Sequence, residues 1–189
     1  MKRLVKEKIK SDKNQIIFLC ILVFTFLIFI PFLAGHYASD TYNIANVGYE
    51  KYAKEWSLKD GRLFMALIVM LAGKINLKIE YFVGITLVLA LIVSCISVME
   101  TKKIIEKLKK PRNAIGEIII TLISYVTIFN FMYIDDMYFV ECFVMAISIL
   151  LFIIAAKKLV FNEKNNIIKA LILVTLGVIC YQGTISVFL

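Results

Sequence analysis

Long apolar runs separated by short polar intervals dominate the chain. Residues 16–34, 81–98, 114–133, 138–156 and 167–189 each contain at most one charged side chain. A helix rises about 1.5 Å per residue, so about 20 residues cover the roughly 30 Å hydrocarbon layer of a bilayer. The runs therefore predict an all-α membrane protein with about five transmembrane helices, in a single polytopic domain over residues 1–189. A shorter apolar stretch, 63–73, cannot cross upright and ends in the polar interval 74–78. Pro31 predicts a kink or a stop near the end of the first run. That run follows a basic tail, as a secretory signal would. Its apolar part, however, exceeds the usual length of about 7–15 residues, and no small-x-small cleavage site follows. It reads as a retained first span.

Charge orients these spans. Lys2, Arg3, Lys6, Lys8, Lys10 and Lys13 precede the first run against Glu7 and Asp12. The interval 100–112 contains Lys102, Lys103, Lys107, Lys109, Lys110 and Arg112 against Glu100 and Glu106. Lys157, Lys158 and Lys164, opposed by Glu163, mark a third basic connection. Basic connections stay cytoplasmic. One crossing between residues 34 and 100 puts all three inside, whereas two would put the most basic interval outside. The stretch 63–73 is therefore expected to be interfacial or re-entrant, with the N-terminus cytoplasmic in a plasma membrane. The outer face then receives two connections: a loop, 35–80, with juxtamembrane helices, and a short turn, 134–141. The apolar end of the chain leads us to expect the N-terminal part of a longer protein.

Composition agrees. At 61% hydrophobic and 19% charged, with mean hydropathy +0.85, the chain has more apolar surface than a soluble core of this length can use. The net charge of +8 follows the orientation signal, and no recognition motif accompanies it, so nucleic acid is not an expected partner. Cys20, Cys95, Cys142 and Cys180 lie within apolar runs without CxxC or Cys/His spacing. They read as small apolar side chains rather than as disulfides or metal ligands. His36, the single histidine, cannot form a metal site alone.

The outer connections hold the candidate chemistry. Tyr49, Tyr52 and Trp56 fall at i, i+3 and i+7, with Glu50/Lys54 and Lys51/Glu55 as i,i+4 pairs. This predicts a helix lying flat on the membrane with its rings at headgroup depth. Ser57-Leu58-Lys59-Asp60 resembles a capping box for the next helix, although Gly61 interrupts it. Asp40 follows the first span. Asp135, Asp136 and Glu141 lie in or beside the short turn, with no basic residue near them in sequence. Turn chemistry and solvation account for Asp135 and Asp136. Glu141 falls inside an apolar run, where an ionisable group is a functional candidate by default. Asp40 could accept a proton from an attacking hydroxyl. Arg62 could hold a phosphate, and Tyr42, Tyr49 and Trp56 offer faces for sugar C–H groups.

These residues resemble a family. Ser39-Asp40-Thr41-Tyr42 after a span, then Gly48-Tyr49, Trp56, Gly61-Arg62 and a short apolar helix, look like the N-terminal part of the phage-type and O-antigen (type II) glucosyltransferase membrane family. Ile134-Asp135-Asp136-Met137 with Glu141, and Tyr181-Gln182, fit the same pattern over nearly the whole chain. That family is similar to the GT-C glycosyltransferases, which take sugar from a polyprenyl-phosphate donor on the outer face. The resemblance implies Asp40 as the catalytic carboxylate and Arg62 at the donor phosphate. It also implies that Tyr42, Trp56, Asp135, Asp136, Glu141 and Gln182 border the substrates. Two features depart from it. Many GT-C enzymes have adjacent acids in the first loop, where Thr41 follows Asp40 here, and family members have several more spans.

The expected function is transfer of a hexose, glucose by this resemblance, from a polyprenyl-phosphate donor to a cell-surface glycan. No cofactor is required by the sequence, and the paired outer carboxylates leave room for a divalent cation. The alternatives are a transporter or lipid-linked-sugar flippase, for which Glu117 is the main interior candidate, and a non-catalytic membrane subunit.

Overall fold

The computed structural model describes residues 2–33, 38–161 and 166–181. His36, Gln182 and the Glu163/Lys164 pair lie outside the described residues. Among the described residues there are helices and turns but no strand. Three helices are long and apolar enough to cross a membrane: Asp12–Leu33 within α1 (Lys2–Leu33), α5 (Ile79–Leu108) and α8 (Cys142–Phe161). Shorter apolar helices accompany them: α4 (Leu63–Lys74), α6 (Ala114–Ile128) and α9 (Asn166–Cys180). The chain is thus an all-helical, multi-pass membrane protein. Two small helices, α2 (Ser39–Val47) and α3 (Tyr49–Tyr52), a π-helical turn (Ala53–Ser57) and a one-turn α7 (Phe131–Asp136) complete the order.

Local chemistry moves some ends away from the limits of the apolar runs. The run 114–133 is broken because the Asn130 side chain accepts the Tyr133 amide (3.1 Å) and caps α7, so α6 stops at Ile128. Residues 137–141 form turns, with the Tyr138, Phe139 and Cys142 amides bonded three residues back, and α8 starts only at Cys142. Pro31 is accommodated inside α1, which ends at Leu33.

Helix α5 is the centre of the bundle, packed on α1, α2, α6 and α8, while α8 packs on α9. Leu87, Ala90, Leu91, Ser94, Cys95 and Val98 recur at helical spacing and are all buried. Ala90 and Cys95 of that stripe share a buried cluster with Cys142 and Ala146 of α8, and such small side chains let the backbones approach closely. Ser94 of α5 and Tyr133 of α7 join their hydroxyls at 2.7 Å. The opposite faces are apolar too. Leu19, Val23 and Leu27 of α1 and Ile118, Leu122 and Val126 of α6 are exposed, as lipid-facing residues would be. All four cysteines are free.

The bundle has two chemically distinct ends. At one, Lys13 pairs with Glu117, Lys157 with Glu100, and Lys103 with Glu100 (2.5 Å). The first pair joins α1 to the start of α6 and the second joins α5 to the end of α8, and Lys102 of α5 reaches Glu117 at 3.5 Å to link the two. At the other, the Phe32 ring meets Tyr138 with centroids 4.7 Å apart, which ties the end of α1 to the turn before α8.

A helical hairpin covers that second end. Helix α3 and the π turn form one arm and α4 the other, with residues 58–62 as the tip. Gly61 adopts φ 73°, a left-handed conformation open to glycine at little cost, and so turns the tip. At the open end the Tyr49 hydroxyl donates to the Leu77 carbonyl (2.8 Å) and its ring meets Phe82 of α5 edge-on. A Cβ on Gly73 would stand 2.8 Å from the Tyr49 Cβ, so only glycine allows this approach. Ile44, Tyr52, Met65, Ala66, Val69, Phe82 and Val144 form the core beneath the hairpin.

Candidate active site

The hairpin tip presents Arg62 to the start of α8. Arg62 Nη1 donates to Glu141 Oε2 at 2.5 Å, and the Glu141 side chain is only 2% exposed. The Tyr52 hydroxyl donates to the other carboxylate oxygen at 3.4 Å. Arg62 Nη2 stands 3.7 Å from Asp60, and the guanidinium lies over the Tyr181 ring at 5.2 Å. Segments distant in sequence therefore converge on one cation: the hairpin, the turn before α8 and the residue after α9.

The π turn explains why the aromatics point where they do. The Leu58 and Arg62 amides bond to the Ala53 and Ser57 carbonyls, five residues back, which widens the helix by one residue. Tyr52 turns inward and is buried, with Trp56 stacked on it at 5.7 Å. Tyr49 packs on α4 and α5. Of the rings expected at headgroup depth, Tyr52 is buried and Tyr49 and Trp56 are half-buried against the core beneath the hairpin, while Gly48, at φ 86°, separates α3 from α2. Ser57 caps nothing either. It ends the π turn, its hydroxyl is buried without a partner, and α4 begins after Arg62 with no side-chain cap.

Electrostatics define the acids. Burial raises the Glu141 carboxyl above its ordinary range; Arg62 opposes the rise and Asp40 adds to it. Burial also raises Asp40, which is half-buried in the first turn of α2, with Arg62 pulling down and Asp60 pushing up. Burial works against the charge of Arg62, but the bond to Glu141 and its charge prevail and hold the guanidinium protonated. Tyr52 is raised by burial and then by Glu141 and Asp40, so its phenol stays a donor. Asp136 is raised by burial and by Asp135 beside it.

No family model, no curated protein and no solved structure matches the chain.

The structure brings Asp40, Arg62 and Glu141 into mutual electrostatic range, with Trp56 behind Tyr52. Asp136 is near enough to act on Tyr181. Asp135 and Tyr42 are exposed at the margin. Asp60, Tyr52 and Tyr181 are further members of the cluster. Tyr52 was visible in sequence only as part of an aromatic face, and Asp60 only as the end of a suspected cap. Among the described residues, no group of three or more His, Cys, Asp or Glu is arranged to hold a metal ion. Arg62 has five N–H donors and spends one on the short bond to Glu141. The arrangement therefore offers a half-buried carboxylate with raised basicity beside a clamped guanidinium.

Proposed function

We propose that this chain forms a membrane glycosyltransferase site that moves a hexose from a polyprenyl-phosphate donor to a cell-surface glycan on the outer face. The observation that carries this reading is the convergence of Asp40, Arg62 and Glu141 at the end of the bundle opposite the Lys13–Glu117 and Lys157–Glu100 pairs. In the reaction, Asp40 takes the proton of the acceptor hydroxyl as its oxygen attacks the anomeric carbon. The bond from that carbon to the phosphate oxygen breaks. The departing lipid phosphate gains a negative charge, which the free N–H groups of Arg62 stabilise. Glu141 and Tyr181 position Arg62 for this. Trp56, Tyr42, Asp135, Asp136 and Gln182 border the substrates in this reading, and glucose is the sugar implied by the resemblance to type II glucosyltransferases.

Five spans with the N-terminus inside the plasma membrane belong to the same proposal. Its support is the hairpin. Both arms of α3–α4 pack against the starts of α5 and α8, which supports reading α4 as adding no crossing. A transporter would place ionisable groups near the midplane of broken helices. Among the described spans such groups gather instead toward the two ends, and Glu117 is engaged by Lys13 and Lys102.

The test is transfer of radiolabelled glucose from polyprenyl-phosphate glucose to glycan by full-length protein in membranes. Wild type is expected to transfer label and Asp40→Asn to lose at least about 100-fold of the rate. Undiminished transfer by Asp40→Asn would remove the base from the mechanism. Absence of transfer by wild type to any glycan would favour a transporter or a scaffold.

A further inference from the structure

The lysine-rich end of the bundle contains a cavity that the transferase reading does not use. Its volume is about 730 Å³, close to the 780 Å³ of the separate cavity at the hairpin. Lys13, Lys103, Lys107, Lys110 and Lys157 line it, from α1, α5, the loop after α5 and α8. Only two carboxylates share the wall, Glu106 and Glu117, leaving a formal surplus of three positive charges. Both carboxylates are already engaged. Lys102, buried at 2% exposure, reaches Glu106 at 2.8 Å and Glu117 at 3.5 Å, and Lys13 also pairs with Glu117. Lys103 and Lys157 share Glu100. Lys107 and Lys110 have no carboxylate partner among the described residues, and Lys107 is held over the Phe161 ring at 5.4 Å.

Two walls of this cavity continue into apolar space. Lys13 and Glu117 also line a groove of about 380 Å³ between α1 and α6, whose floor includes Ile17, Ile118 and Leu122. The groove runs along the lipid-facing sides of these helices, where Ile16, Ile118 and Leu122 are exposed. A polar anion alone would leave the groove empty. An apolar molecule alone would not answer the surplus charge.

We infer that this end of the bundle binds one anionic phospholipid of the adjacent leaflet, with its phosphate headgroup in the lysine cavity and an acyl chain along the α1–α6 groove. Charge complementarity selects the headgroup, and the shared Lys13–Glu117 wall aligns it with the chain. By the positive-inside rule the leaflet is the cytoplasmic one. The ion pairs that close the ends of α1, α5, α6 and α8 lie around this headgroup, so lipid binding also stabilises the fold.

The test uses full-length protein purified in a neutral detergent, with dioleoyl-phosphatidylglycerol, dioleoyl-phosphatidylcholine or inorganic phosphate added. Native mass spectrometry reads retained lipid and the thermal midpoint reads stabilisation. Phosphatidylglycerol should be retained and should raise the midpoint, whereas phosphatidylcholine should do neither. The double variant Lys107→Gln/Lys110→Gln removes two charges without breaking an ion pair and should weaken retention about 30-fold. Thr121→Trp, which fills the groove, should weaken it as well. Equal retention of the two lipids, or unchanged retention by the lysine variant, overturns the site. Equal stabilisation by inorganic phosphate shows a free-anion site and also overturns the lipid assignment.

Discussion

Arg62 and Glu141 are 79 residues apart in sequence and 2.5 Å apart in the structure. Removing one partner of a buried pair leaves an uncompensated charge, at a cost of about 3–5 kcal/mol. The Arg62 side chain keeps 28% exposure, so water moderates that cost. Arg62→Ala and Glu141→Gln should each destabilise the protein by roughly 2–4 kcal/mol, read by unfolding in detergent. Arg62→Ala/Glu141→Gln should lose much less than the sum of the two single losses. Additive losses would show that the contact contributes no coupling.

Asp40 should make stability fall as pH rises. Burial raises its folded-state value above the ordinary 3.8, so the folded protein keeps a proton that the unfolded chain has released. The penalty is absent below 3.8 and complete once pH exceeds the raised value. Asp40→Asn should therefore flatten the thermal midpoint against pH in this window and be no less stable than wild type at neutral pH. Identical pH slopes for the two proteins would contradict the buried carboxylate. In the transfer assay the acid limb should fall above the ordinary carboxylate range.

Gly73→Ala probes the hairpin. Its new Cβ would stand 2.8 Å from the Tyr49 Cβ, an atom too close to the backbone to swing aside. The two arms must separate, at a cost of roughly 1–3 kcal/mol. Transfer activity should fall with stability because Arg62 sits at the tip of the same hairpin. Wild-type stability and activity would mean that the arms are not held this closely.

Tyr133→Phe should be mild although its hydroxyl is buried. Ser94 loses that partner at 2.7 Å but keeps the Ala90 carbonyl at 2.7 Å. The cost should be roughly 0.6–1 kcal/mol, typical of a hydrogen bond between membrane helices. A loss several times larger would mean that the Ala90 bond does not satisfy Ser94.

Ser39→Cys and Lys107→Cys, each in a background lacking Cys20, report topology. A membrane-impermeant maleimide on intact cells should modify only the first, and permeabilisation should expose the second. Modification of both from outside would add a crossing between them and end the five-span proposal.

How much of this could be read before the fold was known differs by feature. Asp40, Arg62 and Glu141 could each be singled out, the first two as residues of an outer loop and the third as a charge in an apolar run. Their convergence could not. It depends on Gly61 reversing the hairpin and on the π turn rotating Tyr52 inward, and neither leaves a hydropathy signal. The break at Asn130 was legible in principle, since its carboxamide can cap a helix inside an apolar run.

The sequence by itself determined that the chain is a helical membrane protein, and it marked residues 1–14 and 100–112 as basic intervals and 134–141 as an acidic one. Run length against bilayer thickness and the cost of burying charge in hydrocarbon are sufficient for both. Only the tertiary structure decided which helix faces pack together, because lipid and protein core are equally apolar and hydropathy cannot distinguish Leu122 from Leu91. It alone decided that Arg62 meets Glu141. It also turned the lysines from an orientation signal into the lining of one cavity, since that depends on the ends of four helices arriving at the same place.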